Sequence, residues 1–389
     1  MMNKDAFEPL VSIIIPVFNG KDYLEQSICS AINQDYENVE IIVINDGSKD
    51  EGETQKIIDK YSDKIVSLTQ VNQGVAAALN AGIRKSNGEY ISWLSHDDVY
   101  LNNKISDQIN FLRNIENKNV ILYSKYVEMN SQGLFIRNNL DNRNVNQERF
   151  QWGLYPLITS LIGGCTLLLP RKVFQNNSFN EKLRHTQDYD LWLKIFRNNV
   201  LIFDNLMGTK VRIHDKQNSK NLNELIEEND KLWISFITEV KSYDMKDKIT
   251  DLQISAIFQN HLSKSVYKKS KKYAKNHFYN MYDKNTSKFK NGKLSRYGNR
   301  IVIGEELIIF TKKECDDNQL RELLLMYFDL CQKFETNINV SGRIEYFKNG
   351  KKIKVRYKIA SQEVSTKTRD HSTHIKWING QKYIMKKVN

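Results

Sequence analysis

The stretch Tyr90-Ile-Ser-Trp-Leu-Ser-His-Asp-Asp98 sets two adjacent carboxylates, Asp97 and Asp98, and an imidazole, His96, directly after an apolar run. Tyr90 to Leu94 is rich in aromatic and β-branched residues and follows the turn signal Asn87-Gly88, which predicts a short buried strand. In an open α/β sheet, ligands bind beyond the carboxyl ends of the strands. Carboxylates at that point suit a hard divalent cation, Mg²⁺ or Mn²⁺, shared with a diphosphate, because such ions take oxygen ligands and accept substrate phosphates. An Asp-Asp helix cap or a solvated loop would look the same, so the elements around the pair must decide.

Those elements alternate. Val11 to Val17 is an apolar run ending in Pro16-Val17-Phe18-Asn19-Gly20, which predicts a central parallel strand entering a loop. Tyr23, Leu24, Ser27, Ile28, Ala31 and Ile32 recur at helical spacing over 22–34. Val39 to Ile44 predicts the next strand, closed by Asn45-Asp46-Gly47-Ser48; a further helix, a strand over 64–71, a helix over 75–86 and the Tyr90 strand follow. Strands alternating with helices imply right-handed βαβ units and a parallel sheet. Asn19, Asp46, Asp97 and Asp98 then stand at strand ends around one crevice, where Asp46 could accept a hydrogen bond from a base N–H or a ribose hydroxyl. Neither G-x-G-x-x-G nor G-x-x-x-x-G-K-[ST] occurs, which counts against dinucleotide-binding and P-loop readings.

Val11-Ser-Ile-Ile-Ile-Pro-Val-Phe-Asn19, Ile44-Asn-Asp-Gly-Ser48, Asn72-Gln-Gly-Val-Ala-Ala-Ala-Leu-Asn-Ala-Gly82 and Gly88-Glu-Tyr-Ile-Ser-Trp-Leu-Ser-His-Asp-Asp98 occur in this order. Together they resemble the family 2 inverting glycosyltransferases of the GT-A fold, a doubly wound, mainly parallel α/β sheet, over roughly residues 10–215. The resemblance implies a nucleotide-diphospho-sugar donor, usually UDP-linked, and Mn²⁺ or Mg²⁺. It implies that Pro16, Phe18 and Asn19 line the base and ribose, that Asp46 contacts uracil, and that Asn80 belongs to the nucleotide-sugar site. Asp97 and Asp98 would hold ribose and metal, with the direct ligand left open. Ser95 stands where many members carry a further Asp.

The second half of the resemblance lies on the acceptor side. Leu157 to Leu169 is apolar and contains Gly163-Gly164-Cys165-Thr166; glycines in a strand pattern suggest close backbone approach, read either as a floor under the donor sugar or as ordinary packing. Leu183-Arg-His-Thr-Gln-Asp-Tyr-Asp-Leu-Trp-Leu-Lys194 predicts a helix whose Asp188 and Asp190 could simply favour the N-terminal dipole. The segment also resembles the Glu-Asp-x-Asp-Leu-Trp motif, which implies Asp188 as catalytic base, with Gln187 in place of Glu and Trp192 under the sugar or in the core. A carboxylate base is what the reaction requires, since a sugar hydroxyl is a poor nucleophile at neutral pH. Val211-Arg-Ile-His-Asp-Lys-Gln-Asn-Ser219 resembles the closing stretch of the family, which implies His214 at the metal or diphosphate and Arg212 and Lys216 at phosphate oxygens.

With 389 residues and 40% hydrophobic content, the chain is long enough for more than one domain. We expect a catalytic domain over 1–219, a helical extension over 220–336 and a small β-rich tail over 337–389, where Asn349-Gly350 and Asn379-Gly380 sit between alternating runs as hairpin turns. No run approaches the roughly 18 apolar residues of a membrane span. The N-terminus lacks a signal-peptide core, and Cys29, Cys165, Cys315 and Cys331 show no metal-type spacing, so a reduced, cytoplasmic protein is expected. The net charge of +12 permits several anionic partners without choosing one.

Lysines interleaved with Tyr267, Tyr273, Phe278, Met281 and Tyr282 fit a solvated helix face or peripheral contact with the inner face of the membrane; no RNA motif accompanies them, which speaks against nucleic acid. Acceptor recognition or self-association as an oligomer is the expected role of the C-terminal half. The expected acceptor is a glycan, glycolipid or glycoprotein of bacterial surface-polysaccharide or protein-glycosylation pathways. Two other readings are a nucleotidyltransferase, which lacks its Gly-rich phosphate loop here, and a catalytically inactive sugar-nucleotide-binding adaptor, which would need no base at Asp188.

Overall fold

The computed structural model describes residues 7–138, 147–215, 217, 222–249, 251–263 and 265–286, and strands over 306–314, 340–348, 351–360, 363–368, 373–378 and 381–386. Two compact units are present: Met1–Lys248 with Val266–Ser270, and Ile249–Ser265 with Lys271–Asn389.

In the first unit the strands are β1 (Val11–Val17), β2 (Val39–Asn45), β3 (Val66–Thr69), β4 (Tyr90–Trp93), β5 (Val99–Tyr100), β6 (Val120–Met129), β7 (Phe135–Asn138), β8 (Leu169–Pro170) and β9 (Val200–Arg212). The helices are α1 (Leu24–Ile32), α2 (Glu53–Lys60), α3 (Val75–Lys85), α4 (Lys104–Arg113), the single turn α5 (Tyr155–Ile158), α6 (Gln187–Asn198) and α7 (Leu222–Glu239). One sheet has the order β3-β2-β1-β4-β8, parallel except for β4 with β8. This is the mainly parallel α/β architecture expected. All seven residues of β1 are buried, because covered strands of a parallel sheet have no wet face. Leu24, Ile28 and Ala31 of α1 join that core at helical spacing, and each large apolar side chain so buried contributes about 1.5–3 kcal/mol of transfer free energy.

A second sheet has the order β5-β9-β6-β7, with β6 and β9 parallel. The β6–β9 register shifts between Tyr123 and Tyr126, opposite Asn205 at φ 62°. The irregularity turns Asp204 inward, where it accepts hydrogen bonds from Ser124 Oγ (2.7 Å), Gln108 Nε2 (3.3 Å) and the Leu206 amide (2.9 Å). Bulges re-aim side chains in this way. Beyond the bulge β9 runs on to Arg212 and delivers residues 213–215 beside the end of β4.

One expectation fails locally. Residues 157–169 were expected to form a glycine-bearing strand, yet they form the end of α5 and a 3₁₀ turn over Gly164–Thr166, and only Leu169–Pro170 pairs with β4. A side chain at Gly164 would stand 2.5 Å from the Trp93 ring, so the turn exists where backbone must pass against that indole.

In the second unit, α8 (Asp251–Ser263) precedes the part of α9 (Lys268–Thr286) that belongs to it, and Ser255 Oγ meets His277 Nδ1 at 2.8 Å. The strands β10 (Glu306–Glu314), β11 (Val340–Lys348), β12 (Lys351–Ala360), β13 (Glu363–Thr368), β14 (Thr373–Ile378) and β15 (Gln381–Lys386) form one sheet in chain order, antiparallel after β11. Lys348 pairs with Lys351 and Ile378 with Gln381; Asn349-Gly350 and Asn379-Gly380, expected as the turns, lie outside the described residues. Of the helical extension expected over 220–336, residues 287–305 and 315–336 lie outside the described residues, and Glu306–Glu314 is a strand instead of a helix. Among the described residues no helix is long and apolar enough to cross a membrane.

Candidate functional site

A crevice of about 480 Å³ opens at the carboxyl ends of β1, β2 and β4. Pro16 to Gly20 line it from β1, Asp46 from β2 and Ser95 to Asp97 from β4. Arg184, His185 and Gln187 close it from the start of α6, with His214 from beyond β9 and Leu225 from α7. Residues up to 209 positions apart in sequence thus meet because parallel strands all end at one edge.

On the β1–β2 side, Phe18 is 39% exposed, so its ring is available to a ligand. Asn19 adopts φ 53°, a left-handed conformation that Asn enters more readily than most residues. Its Oδ1 accepts the Lys49 amide at 2.7 Å and its own amide donates to Ser48 Oγ at 2.9 Å. Asp46 is buried and accepts from Gln70 Nε2 (2.7 Å), the Gln73 amide (2.9 Å) and the Gly74 amide (2.7 Å). A carboxylate has about four acceptor positions, so Asp46 shapes the 70–74 loop with three of them. Gly74, at φ 93°, leaves room for the Arg184 guanidinium, whose Nη1 donates to Gln73 O at 2.8 Å.

At the end of β4 the two carboxylates part. Asp97 lines the crevice, and its Oδ2 lies 3.0 Å from His214 Nε2. His214 packs on Tyr23 with ring centroids 4.8 Å apart, and its Nδ1 is buried without a hydrogen-bond partner. Asp98 points the other way. It is 6% exposed, its Oδ1 accepts the Arg212 amide at 2.9 Å, and the Cys165 thiol donates to its Oδ2 at 3.2 Å. Burial, reinforced by the Asp97 charge, pushes the Asp98 carboxyl well above its ordinary value. Burial likewise holds His96 below its ordinary value, so this imidazole is neutral.

The expectation that Asp98 reaches a metal is therefore corrected: its oxygens are engaged by protein donors on the side away from the crevice. Arg212 is corrected as well. It is 1% exposed, with Nε on Asp97 O (2.9 Å), Nη1 on Ser131 O (3.1 Å), Nη2 on Gln26 Oε1 (2.7 Å) and its guanidinium over Tyr23. It braces the Asp97 backbone instead of facing a phosphate. Lys216 lies outside the described residues.

Asp97 and His214 are the residues present that could hold a divalent cation. Both residues line the crevice with their Oδ2 and Nε2 3.0 Å apart, and a carboxylate with an imidazole suits Mn²⁺ or Mg²⁺. Among the described residues no group of three or more ligating side chains exists, so a cation held by this pair would take its other ligands from water and phosphate oxygens, as Mg²⁺ commonly does. The pair fits.

At the start of α6, Gln187 is buried and its Oε1 has no hydrogen-bond partner. Asp188 accepts the Tyr189 amide at 2.8 Å. Burial pushes its pKa up to about 6, Tyr189 and backbone donors oppose the rise, and the Glu228 charge adds to it. Trp192 is 1% exposed, stacked on Phe196 (5.6 Å) and edge-on to Phe179 (5.8 Å); it belongs to the core, which corrects its placement under a sugar. Asn80 is corrected for the same kind of reason. Its Nδ2 donates to Phe179 O (2.9 Å) and Glu181 Oε1 (2.9 Å) and its Oδ1 accepts the Phe179 amide (3.0 Å), so the side chain pins the chain after β8 and does not line the crevice. Gly164 packs on Trp93 and also stands outside the lining.

Three participants escaped the sequence reading. Arg184 and His185 line the crevice, and Glu228 of α7 bonds the residues around them. Glu228 sits in an amphipathic helix among other acidic residues, so nothing in its neighbourhood marks it out.

Comparison with known proteins adds the following. The model of Glycosyl transferase family 2 matches residues 12–176. An uncharacterized glycosyltransferase of Rickettsia prowazekii is 45% identical over 63% of this chain and 76% of its own length. The Escherichia coli UDP-Glc:alpha-D-GlcNAc-diphosphoundecaprenol beta-1,3-glucosyltransferase WfaP is 32% identical over 54% of this chain and 80% of its own. Some relatives are longer: the chain spans 35% of the Rickettsia bellii one, also 45% identical. The crystal structure of S. aureus TarS 1-349 in complex with UDP-GlcNAc covers 76% of this chain and 95% of that chain, at 17% identity and a TM-score of 0.48.

Proposed function

Because this chain belongs to glycosyltransferase family 2, we propose that it moves a sugar from a UDP-linked donor to a glycan hydroxyl in a single displacement that inverts the anomeric carbon. The observation that carries this reading is the meeting of Asp46, the Asp97–His214 pair and Gln187, the neighbour of Asp188 at the start of α6, around one crevice.

Phe18 and Asn19 flank the base and ribose, and Asp46 offers its remaining lone pair to a uracil N–H. Asp97 and His214 would hold a divalent cation, which would neutralise charge developing on the departing diphosphate. Asp188 takes the proton of the acceptor hydroxyl as that oxygen attacks C1 from the face opposite the phosphate; general-base catalysis of this kind gives about 10²–10⁴-fold in rate. Burial suits it to the task, since a base with a raised pKa binds the proton more firmly while remaining ionised at neutral pH. Gln187 Oε1, buried and unpartnered, accepts from a substrate hydroxyl.

The name of WfaP, which specifies UDP-Glc and a diphosphoundecaprenol-linked GlcNAc, supports UDP-Glc as first donor to try and a polyprenyl-diphosphate-linked saccharide as acceptor class. Such an acceptor would place the enzyme at the cytoplasmic face of a membrane. In this layout residues 1–219 carry the chemistry and α7 closes the crevice with Leu225, while the rest of the chain serves acceptor binding or association.

The test is release of nucleotide from UDP-, GDP- and dTDP-sugars by the purified protein with Mn²⁺, Mg²⁺ or chelator, with and without a GlcNAc-diphosphate-lipid acceptor. The expected result is metal-dependent release of UDP, stimulated by acceptor and lost in Asp188→Asn. Release that is insensitive to chelator, or undiminished in Asp188→Asn, contradicts the reading.

A further inference from the structure

We propose that Glu228, on α7, is a positioning residue for transfer, holding residues 184–186 so that the first turn of α6 meets the crevice with Gln187 and Asp188 in place. The proposal rests on the reading of Asp188 as the base.

The geometry is a single carboxylate filled by consecutive donors. Glu228 Oε1 accepts the amides of His185 (2.7 Å) and Thr186 (2.7 Å) and the Thr186 hydroxyl (2.9 Å), and Oε2 accepts the Arg184 amide (3.1 Å). Those four bonds use the acceptor positions a carboxylate has. Thr186 precedes α6, where a Ser or Thr would ordinarily cap the helix with its own oxygen. Here no side chain caps α6, because the Thr186 hydroxyl is committed to Glu228. The start of the helix is thus fixed by another helix, through a negative charge placed where the α6 dipole favours it.

The clamp also reaches the donor side. Arg184, whose amide Glu228 holds, donates from its guanidinium to Gln73 O, and Asp46 holds the Gln73 and Gly74 amides. Leu225, one turn before Glu228 on α7, lines the crevice itself. None of α7 lies within the stretch matched by the family model, 12–176.

Glu228 also faces Asp188 electrostatically, as a like charge that raises its pKa. The other ionisable groups around this turn are Arg184, on Gln73 O; His185, whose Nε2 lies 4.0 Å from a Glu224 carboxylate oxygen; and Asp190, paired with Lys194 on α6 itself. Removing the Glu228 charge therefore moves the Asp188 pKa down, whereas a helix merely loosened by a lost hydrogen bond would give no such directed shift.

The experiment compares wild type, Glu228→Gln, Glu228→Ala and Asp188→Asn in acceptor-dependent UDP release across pH 5–9, with UDP binding by calorimetry. Glu228→Gln keeps an acceptor oxygen and shape; it should lower kcat about 3–10-fold and shift the acid limb of the kcat profile to lower pH. Glu228→Ala should lower kcat about 10–100-fold, with the affinity for UDP unchanged within about twofold. An unchanged kcat and acid limb in Glu228→Gln, with Asp188→Asn inactive, overturns the proposal while sparing the base. Full activity in Asp188→Asn overturns the underlying reading instead. If Glu228→Ala does not fold, the acid limb of Glu228→Gln decides.

Discussion

His214 Nε2 lies 3.0 Å from Asp97 Oδ2, although the two residues are 117 positions apart in the chain. The contact closes the loop after β9 onto the loop after β4, and it makes the carboxylate of Asp97, rather than that of Asp98, the one that faces the crevice. Asp97→Asn and His214→Ala should each weaken Mn²⁺-dependent UDP binding by about 10-fold or more, since a metal-bound phosphate loses a ligand. Calorimetry of UDP with Mn²⁺ and with chelator reads this directly. Equal affinities in wild type and both variants would remove the pair from the metal site.

Asp98 should behave differently. Asp98→Ala leaves the buried Arg212 amide and Cys165 thiol without their acceptor, which costs on the order of 1–3 kcal/mol for an unsatisfied buried donor. Thermal unfolding should show that loss in Asp98→Ala and little change in Asp97→Ala. The opposite order would mean that Asp97 holds the fold and Asp98 the ligand.

Asn80→Ala removes three hydrogen bonds that tie α3 to Phe179 and Glu181. A stability loss of about 2–4 kcal/mol is expected, with UDP affinity unchanged within about twofold in the protein that remains folded. A large fall in UDP affinity without loss of stability would return Asn80 to the nucleotide site.

Asp188 links activity and stability to pH with opposite signs. Its folded pKa, about 6, lies above the ordinary 3.8, so protonation favours the folded state. That contribution is complete below about pH 4 and is lost as pH rises through 6, at a cost on the order of 2–3 kcal/mol at neutral pH. Asp188→Asn should therefore be more stable than wild type at pH 7.5, with the gap closing toward pH 4 in denaturant titrations. The wild-type kcat should fall below about pH 6, as the base takes up its proton. A variant no more stable than wild type at any pH would show that the Asp188 carboxyl is not held above its ordinary pKa in the folded state.

Much of this was legible in the chain. The run Val11–Val17 is followed within two residues by Asn19, and Val39–Asn45 leads directly into Asp46; parallel strands bring such ends together, so the crevice around Asn19, Asp46 and Asp97 follows from pattern. What pattern does not carry is which partner takes a side chain. Asp97 and Asp98 are equivalent in sequence, and they diverge because Arg212 and Cys165, 114 and 67 residues away, claim one of them. Trp192 has the same helical spacing whether it meets a sugar or Phe196. Leu157 to Leu169 reads as a strand because its residues are apolar, but packing of Gly164 against Trp93 folds most of it into turns. Glu228 acts only through the tertiary contact of α7 with residues 184–186.

The most direct test of the account is the anomeric configuration of the product. Wild-type enzyme, Mn²⁺, α-linked UDP-Glc and a GlcNAc-diphosphate-lipid acceptor should yield a β-linked disaccharide by NMR, and Asp188→Asn should yield none at comparable enzyme concentration. An α-linked product, or β-linked product formed at the wild-type rate by Asp188→Asn, would contradict a single inverting displacement driven by this carboxylate.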